Sequence, residues 1–220
     1  MKWDMNKFNT TYNEGSIEVI VGTMFSGKSR ELLYRGTRAE RYGQIPVYYF
    51  KPSIDTRDGE YINSRDGITK KASLFKQSRE LLEKLNDKPG LVLIDEAQFA
   101  DKNIVYVSQL LKRKGYNIVI SGLPNDYRGQ PFGVMPELMA LSDAPIKNIF
   151  SVCNIDGCHN DGVLPQRLRN GEPDSALSPT IIIEGSDNKD KIEYEPRCEL
   201  HHKVPEIDKY LEKQMEPKDC

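Results

Sequence analysis

The octapeptide Gly22-Thr23-Met24-Phe25-Ser26-Gly27-Lys28-Ser29 constrains this chain more than any other stretch. It satisfies the pattern G-x-x-x-x-G-K-[ST] in full. It follows the strand-like run Ile17 to Val21 and opens a helical pattern, Ser29 to Tyr42, closed by Gly43. Glycines let the backbone wrap closely, so that successive N–H groups point at phosphate oxygens. The helix N-terminus adds a favourable potential for the anion. Lys28 is then expected to reach the β- and γ-phosphates, and the Ser29 hydroxyl to coordinate Mg2+. With Gly at about 7% of average usage, such a match arises by chance in roughly one chain in a hundred of this length, before its context is counted.

A second feature completes the first. The apolar run Leu91 to Ile94 ends directly on Asp95-Glu96. A carboxylate at a strand end beside a phosphate loop holds the Mg2+ shell, which gives Asp95 its expected role. Glu96 is the natural general base, deprotonating water in an ATPase or a substrate hydroxyl in a kinase. The bland alternative is a solvated helix-start glutamate favoured by the dipole. On these motifs alone, a small-molecule kinase and a nucleic-acid or motor ATPase both stand.

Around the motifs, short apolar runs alternate with helical patterns. Ile17–Val21, Val47–Phe50, Leu91–Ile94 and Ile118–Ile120 read as strands, and Ile104, Val107 and Leu111 recur at helical spacing up to Gly115. That alternation predicts an α/β fold, a parallel sheet flanked by helices on both faces. Past residue 150 the helical period disappears. The expectation there is a long irregular loop over Gly162–Pro179, a short strand Thr180–Ile183 and a hairpin return through Ile192–Tyr194. The domain reading is a tail over residues 1–15, a phosphate-loop domain over 16–150, a smaller domain over 151–202 and a tail over 203–220. Val204, Ile207 and Leu211 suggest a short solvated helix in the last of these.

Composition narrows the class. With 31 Lys+Arg against 33 Asp+Glu, the net charge of -2 offers no footprint for duplex nucleic acid, so no stable nucleic-acid partner is expected. The 38% apolar and 29% charged residues can still bury a core. No apolar run approaches the ~18 residues of a membrane span, and the stretch with Asp4, Lys7 and Glu14 has no apolar signal region. A cytoplasmic protein without a membrane partner is the expectation. Cys153, Cys158 and Cys198 cluster late in the chain, while Cys220 reads as a free exposed thiol.

Four stretches occur in order: the phosphate loop, Lys51-Pro-Ser-Ile-Asp55-Thr-Arg57, Asp95-Glu96-Ala-Gln98-Phe99, and Gly122-Leu-Pro-Asn-Asp126-Tyr127-Arg-Gly-Gln-Pro131-Phe132. Together they resemble the zinc-containing thymidine kinases, whose loops read G-P-M-F-S-G-K-[ST], K-P-x-x-D-x-R, D-E-x-Q-F and G-L-x-x-D-F-x-x-x-P-F. The resemblance covers roughly residues 16 to 202. It implies that ATP lies over residues 22–29, with Asp55 among the ATP- and Mg2+-binding residues, Arg57 joining Mg2+ and Lys28 to stabilise charge on the transferring phosphoryl group, and Gln98 helping to order the phosphate and metal region. Glu96 would take the proton of the thymidine 5′-hydroxyl. Phe99, Tyr127, Thr180, Ile181, Ile182, Ile183, Glu184 and Tyr194 would surround the nucleoside under a zinc-braced lasso loop. It further implies a homotetramer acting on thymidine and ATP, with Mg2+. Pro165 stands where the lasso pattern has threonine, and Thr23 where the phosphate loop has proline. The first of these changes leaves room for a kinase of another or modified pyrimidine deoxynucleoside.

Cys153-x4-Cys158 and Cys198-x2-His201 form two close pairs of metal-ligand type. On spacing alone, reduced unliganded thiols stand nearly level with a zinc site. The resemblance favours structural Zn2+ on Cys153, Cys158, Cys198 and His201, with His159 and His202 as adjoining polar residues.

Overall fold

A computed structural model of the chain describes residues 15–55, 59–65, 67–86, 88–182 and 190–216. They fall into two compact units, joined at several crossings of the chain.

The first unit comprises residues 15–21, Gly27–Pro124 and Phe132–Ile149. Strand β1 (Ser16–Val21) precedes helix α1 (Lys28–Arg38), which runs on into a π-helical turn, Ala39–Gly43. Next come β2 (Val47–Pro52), β3 (Tyr61–Asn63), β4 (Thr69–Lys71), β5 (Ser73–Phe75), α2 (Glu80–Lys84) and β6 (Leu91–Ile94). A 3-10 turn (Ala97–Phe99), α3 (Asn103–Arg113), β7 (Asn117–Gly122), α4 (Met135–Ala140) and β8 (Lys147–Asn148) complete it. Six strands form one parallel sheet in the order β5-β2-β6-β7-β1-β8. The expected strands and both long helices are all present.

Alternate residues of the central strands feed two separate cores, which is why these strands read as continuous apolar runs. Ile17, Val19, Val92, Ile94, Ile118 and Ile120 pack with Ile104, Val107 and Leu111 of α3 and with Leu138 of α4. Ile20, Leu91, Leu93 and Val119 pack on the other side with Leu32 and Leu33 of α1. A sheet buried on both faces has no polar side to alternate with.

The second unit comprises Gly22–Ser26, Asn125–Pro131 and residues 150–216. It holds β9 (Ser151–Val152), β10 (Asp161–Gly162), β11 (Leu164–Arg169), β12 (Glu172–Pro173), β13 (Ile192–Arg197) and α5 (Ile207–Met215). Strand β9 pairs with β10, and β11 pairs antiparallel with both β12 and β13. This corrects the expected irregular loop over Gly162–Pro179. The strand Leu164–Arg169 shows no apolar alternation because its buried positions include Gln166 and Arg167. Gln166 is satisfied by both backbone groups of Lys203, and Arg167 pairs with Asp174. Residues Thr180 to Ile182 form no strand, and β13 returns against β11 instead. The helix expected after residue 203 is present as α5. No helix among the described residues is long and apolar enough to cross a membrane.

Candidate active site

Within the first unit, the chemistry gathers where β6, β7 and α1 end or begin. Because β6 and β7 pair in parallel with Ile94 opposite Ile120, the next residues, Asp95 and Ser121, emerge side by side. The Ser121 hydroxyl donates to Asp95 Oδ1, and the Ser29 hydroxyl donates to Asp95 Oδ2 at 2.7 Å. Burial pushes the Asp95 carboxyl up, and the charge of Glu96 adds to it. Both oppose the hydrogen bonds from Ser121 and Ser29 and the charge of Lys28. Lys28 is itself 5% exposed, at the head of α1. A buried carboxylate destabilised by desolvation, beside a lysine and a serine hydroxyl, is chemistry suited to a cation and a polyanion.

Glu96 follows in a left-handed backbone conformation, φ 51° and ψ 41°. That region is sparsely populated for residues other than Gly, Asn and Asp, so the surroundings must hold it. They do so through Gln98, which is buried. Its Nε2 donates to Glu96 Oε2, while its Oε1 accepts the N–H of Leu123 at 3.0 Å. Gly133, at φ 53°, passes so close to Gln98 that a Cβ there would lie 2.2 Å from the Gln98 carbonyl oxygen. Phe99 packs edge-on against Phe132, ring centroids 5.6 Å apart. Asp55 is buried in an ion pair with Lys51, at 3.1 Å. Arg57 lies outside the described residues, as do Ile183, Glu184 and Cys220.

Of the phosphate loop, Gly22–Ser26 groups with the second unit and Gly27–Ser29 with the first. Gly27 is left-handed at φ 95°, and no side chain caps the first turn of α1. Phe25 is left-handed too, at φ 65°, with its ring exposed, while Met24 is half-buried. The Ser26 hydroxyl is buried without a hydrogen-bond partner among the described residues. An orphaned donor in an uncapped, glycine-opened turn fits a phosphate oxygen.

In the second unit Tyr127 is 3% exposed. Its hydroxyl lies 2.9 Å from the carbonyl oxygens of both Ser175 and Ser178. The guanidinium of Arg167 stacks 3.4 Å from its ring centroid and that of Arg128 4.4 Å away. Burial pushes its phenol up to about 12, against the two arginines. The arginines hold the segment that follows. Arg128 donates to the Ala176 and Ser178 carbonyls and to Thr180 Oγ1, and Arg167 to the Pro179 and Thr180 carbonyls. Asp126 and Asp174 neutralise them, at 2.8 and 2.7 Å. Ile181 and Tyr194 are each 40% exposed, and Ile182 is half-buried. Sequence reasoning had assigned no work to Ser121, Arg128, Arg167, Asp126 or Asp174. For the pair Asp126 and Arg128, the signal was an aspartate two residues ahead of an arginine inside a turn-forming stretch.

The cysteine–histidine cluster closes as expected. The ligand atoms of Cys153, Cys158, Cys198 and His201 all lie within 4.8 Å of one another. Cys158 Sγ is 3.9 Å from Cys198 Sγ, and His201 Nδ1 is 3.5 Å from Cys153 Sγ and 3.2 Å from Cys198 Sγ. A tetrahedral Zn2+ sets sulfurs about 3.8 Å apart and sulfur to nitrogen about 3.6 Å apart. The donor set therefore fits zinc in kind and spacing. Desolvation works against the Cys198 thiolate, yet bonds from the Asn160 amide and the His201 N–H bring its thiol down to about 6. His202 is not a ligand here. Its Nε2 instead lies 3.0 Å from the Tyr127 carbonyl and 3.2 Å from that of Pro165.

Residues 15–202 match the family described as thymidine kinase. Among solved structures, the chain shows a distant likeness to the Pif1 helicase of Candida albicans. Identity is 12% over 68% of this chain and 40% of the helicase, with a TM-score of 0.37. A Bacteroides Pif1 bound to single-stranded DNA matches at 17% identity over 72% and 38%, with a TM-score of 0.29. Likeness at that level says nothing about activity, and the chain spans only about two fifths of either helicase.

Proposed function

The chain belongs to the thymidine kinase family, and on that footing we propose that it transfers the γ-phosphate of ATP to the 5′-hydroxyl of thymidine. The products are thymidine monophosphate and ADP. The observation that carries this reading is Glu96, fixed in a left-handed turn by the amide of Gln98, immediately after the Ser29–Asp95–Ser121 array. A carboxylate fixed there suits proton abstraction from an alcohol about to attack phosphorus. Glu96 accepts the hydroxyl proton, the new P–O bond forms, and the bond to the ADP oxygen breaks with its electrons on ADP. Lys28 and the amides of residues 22–29 receive the negative charge of the phosphates. Ser29 Oγ and Asp95 would hold Mg2+, which would supply positive charge against the phosphates. Cys153, Cys158, Cys198 and His201 would hold Zn2+, which with four protein ligands would serve a structural role.

Nucleoside contact falls to Phe99, Tyr127, residues 180–184 and Tyr194, with Asp55, Arg57 and Gln98 beside the phosphates. The buried, arginine-stacked Tyr127 serves in this reading as the support of the 175–180 segment. A cytoplasmic homotetramer belongs to the same proposal, and light scattering on the purified protein tests the assembly.

The deciding experiment is Mg·ATP-dependent phosphoryl transfer to thymidine, deoxyuridine and deoxycytidine, with single-stranded DNA and no nucleoside as the control. Product on thymidine is the expected result. Preference for another pyrimidine would move the substrate but keep the chemistry. Hydrolysis seen only with DNA would replace the kinase by an ATPase.

A further inference from the structure

Thr23 is the residue at which the phosphate loop departs from the pattern G-P-M-F-S-G-K-[ST], and its side chain makes a bond that proline cannot. Its hydroxyl donates to the carbonyl oxygen of Gly162 at 2.6 Å, with both residues buried. That acceptor is firmly held. Gly162 pairs with Ser151 across β9 and β10. A Cβ there would lie 2.8 Å from Pro196 Cβ and 3.0 Å from the carbonyl of Val152, so only glycine lets β9 and β13 close on it.

Both neighbours lead directly to the cysteine–histidine cluster. Val152 precedes Cys153, whose N–H donates to the Asn160 carbonyl at 3.0 Å. Pro196 lies two residues before Cys198, and its carbonyl accepts the N–H of Asn154 at 2.9 Å. Gly22–Ser26 belongs to the same compact unit as these strands. On the other side, the Thr23 carbonyl accepts the Ser26 N–H at 3.4 Å, and the chain continues through Gly27 into α1.

We infer that Thr23 is a positioning residue that ties the phosphate loop to the metal cluster, so that zinc occupancy sets the loop's affinity for nucleotide phosphates. The inference rests on the proposal that this loop binds a nucleotide. Its physical basis is preorganisation. A loop whose N–H groups are already aimed costs less to order on binding, and a buried hydroxyl–carbonyl bond keeps the aim only while its acceptor is fixed. Coupling between two sites is reciprocal, so nucleotide must in turn raise the affinity for zinc by the same factor.

The test measures Mg·ADP binding by calorimetry for the wild type, T23V and T23S, with zinc bound and after chelation. Zinc affinity is measured by equilibrium competition with a chromogenic chelator, with and without Mg·ADP. Chelation is expected to weaken wild-type binding about tenfold, the scale of one buried hydrogen bond. T23V, which keeps the shape but loses the donor, should show that loss with zinc present and a smaller further loss on chelation than the wild type. T23S should stay within about twofold of the wild type, because it retains the hydroxyl. Mg·ADP should tighten zinc binding by the wild type by the factor that zinc tightens ADP binding, and should affect T23V less. Equal losses on chelation in the wild type and T23V, or T23V binding as tightly as the wild type, would overturn the inference. A general structural defect would lower the melting temperature of T23V without this pattern. Should T23V fail to fold, the wild type decides alone, since a zinc affinity indifferent to Mg·ADP sinks the idea. If the wild type binds no Mg·ADP at all, the phosphate-loop reading fails first, an outcome distinct from tight binding that ignores zinc.

Discussion

Glu96 and Asp95 are adjacent in sequence but sit in opposed environments. Glu96 is half-buried on a strained backbone, whereas Asp95 is 4% exposed with its carboxyl pushed up by burial. Replacing Glu96 by Gln keeps shape and polarity but removes the proton acceptor. The expected result is a loss of about 10²- to 10⁴-fold in phosphoryl transfer with ADP affinity unchanged, read from steady-state rates and calorimetry. Unchanged turnover would end its role as base. For Asp95, a folded-state pKa above the unfolded one means that protonation favours the folded chain. That stabilisation is present below the unfolded carboxylate value and is lost as pH rises through the raised folded value. At neutral pH the buried charge therefore costs stability. D95N should melt about 2–4 °C higher at pH 7.5, the equivalent of ~1 kcal/mol at this size, with the gain shrinking toward pH 4. It should also lose the extra stabilisation that Mg2+ gives to bound ADP. A lower melting temperature at pH 7.5 would show that the wild-type carboxylate is already compensated. The sequence announced both acids through the strand that delivers them. Ser121 was equally implied, by the parallel pairing of Leu91–Ile94 with the next strand, but only once the register was known.

At the scale of elements, strands β1, β2, β6 and β7 were legible because their apolar runs are short, continuous and bounded by turn residues. Strand β11 was not, because hydropathy measures transfer to an apolar phase and this strand buries its polar side chains in bonds. Arg167 is fully buried, paired with Asp174, stacked on Tyr127 and bonded to two carbonyls of the 179–180 turn. Its partner Asp174 also accepts from Arg169 and Ser178. D174N strands a buried guanidinium, so we expect a loss of about 3–5 kcal/mol, read by urea unfolding at pH 7. Desolvation opposes the Asp174 carboxylate, but its arginine and serine partners hold the carboxyl below the ordinary value. Its stabilisation is therefore present above the unfolded carboxylate pKa and lost as pH falls through the folded one. The deficit of D174N should narrow toward about pH 3, and a deficit independent of pH would assign the loss to packing instead.

For the whole molecule, the decisive contrast is what each unit is held by. Both apolar core clusters lie entirely in the first unit, on the two faces of its parallel sheet. Among the described residues of the second unit, the buried hydrophobic side chains are Tyr127, Cys153, Ala176 and Cys198, with Pro165 and Pro196 buried beside them. Its buried polar set includes Asp126, Arg128, Gln166, Arg167 and Asp174. Ion pairs of that kind orient a structure more than they stabilise it. A unit with so little apolar burial needs a staple, and two of its buried hydrophobic residues, Cys153 and Cys198, belong to the Cys153–Cys158–Cys198–His201 cluster that could hold a metal. If the cluster holds zinc as proposed, removing it should destabilise this unit and leave the sheet's own packing untouched. After chelation, amides of β11 and β13 should exchange within minutes, while those of β1, β6 and β7 keep the protection they have with zinc bound. Two melting transitions should replace one, with only the lower restored by added Zn2+. If the β1, β6 and β7 amides lost protection together with β11 and β13, the two units would be a single cooperative body. If β11 and β13 stayed protected without metal, the arginine–aspartate network would be the true staple, and D174N would then be the more damaging change of the two.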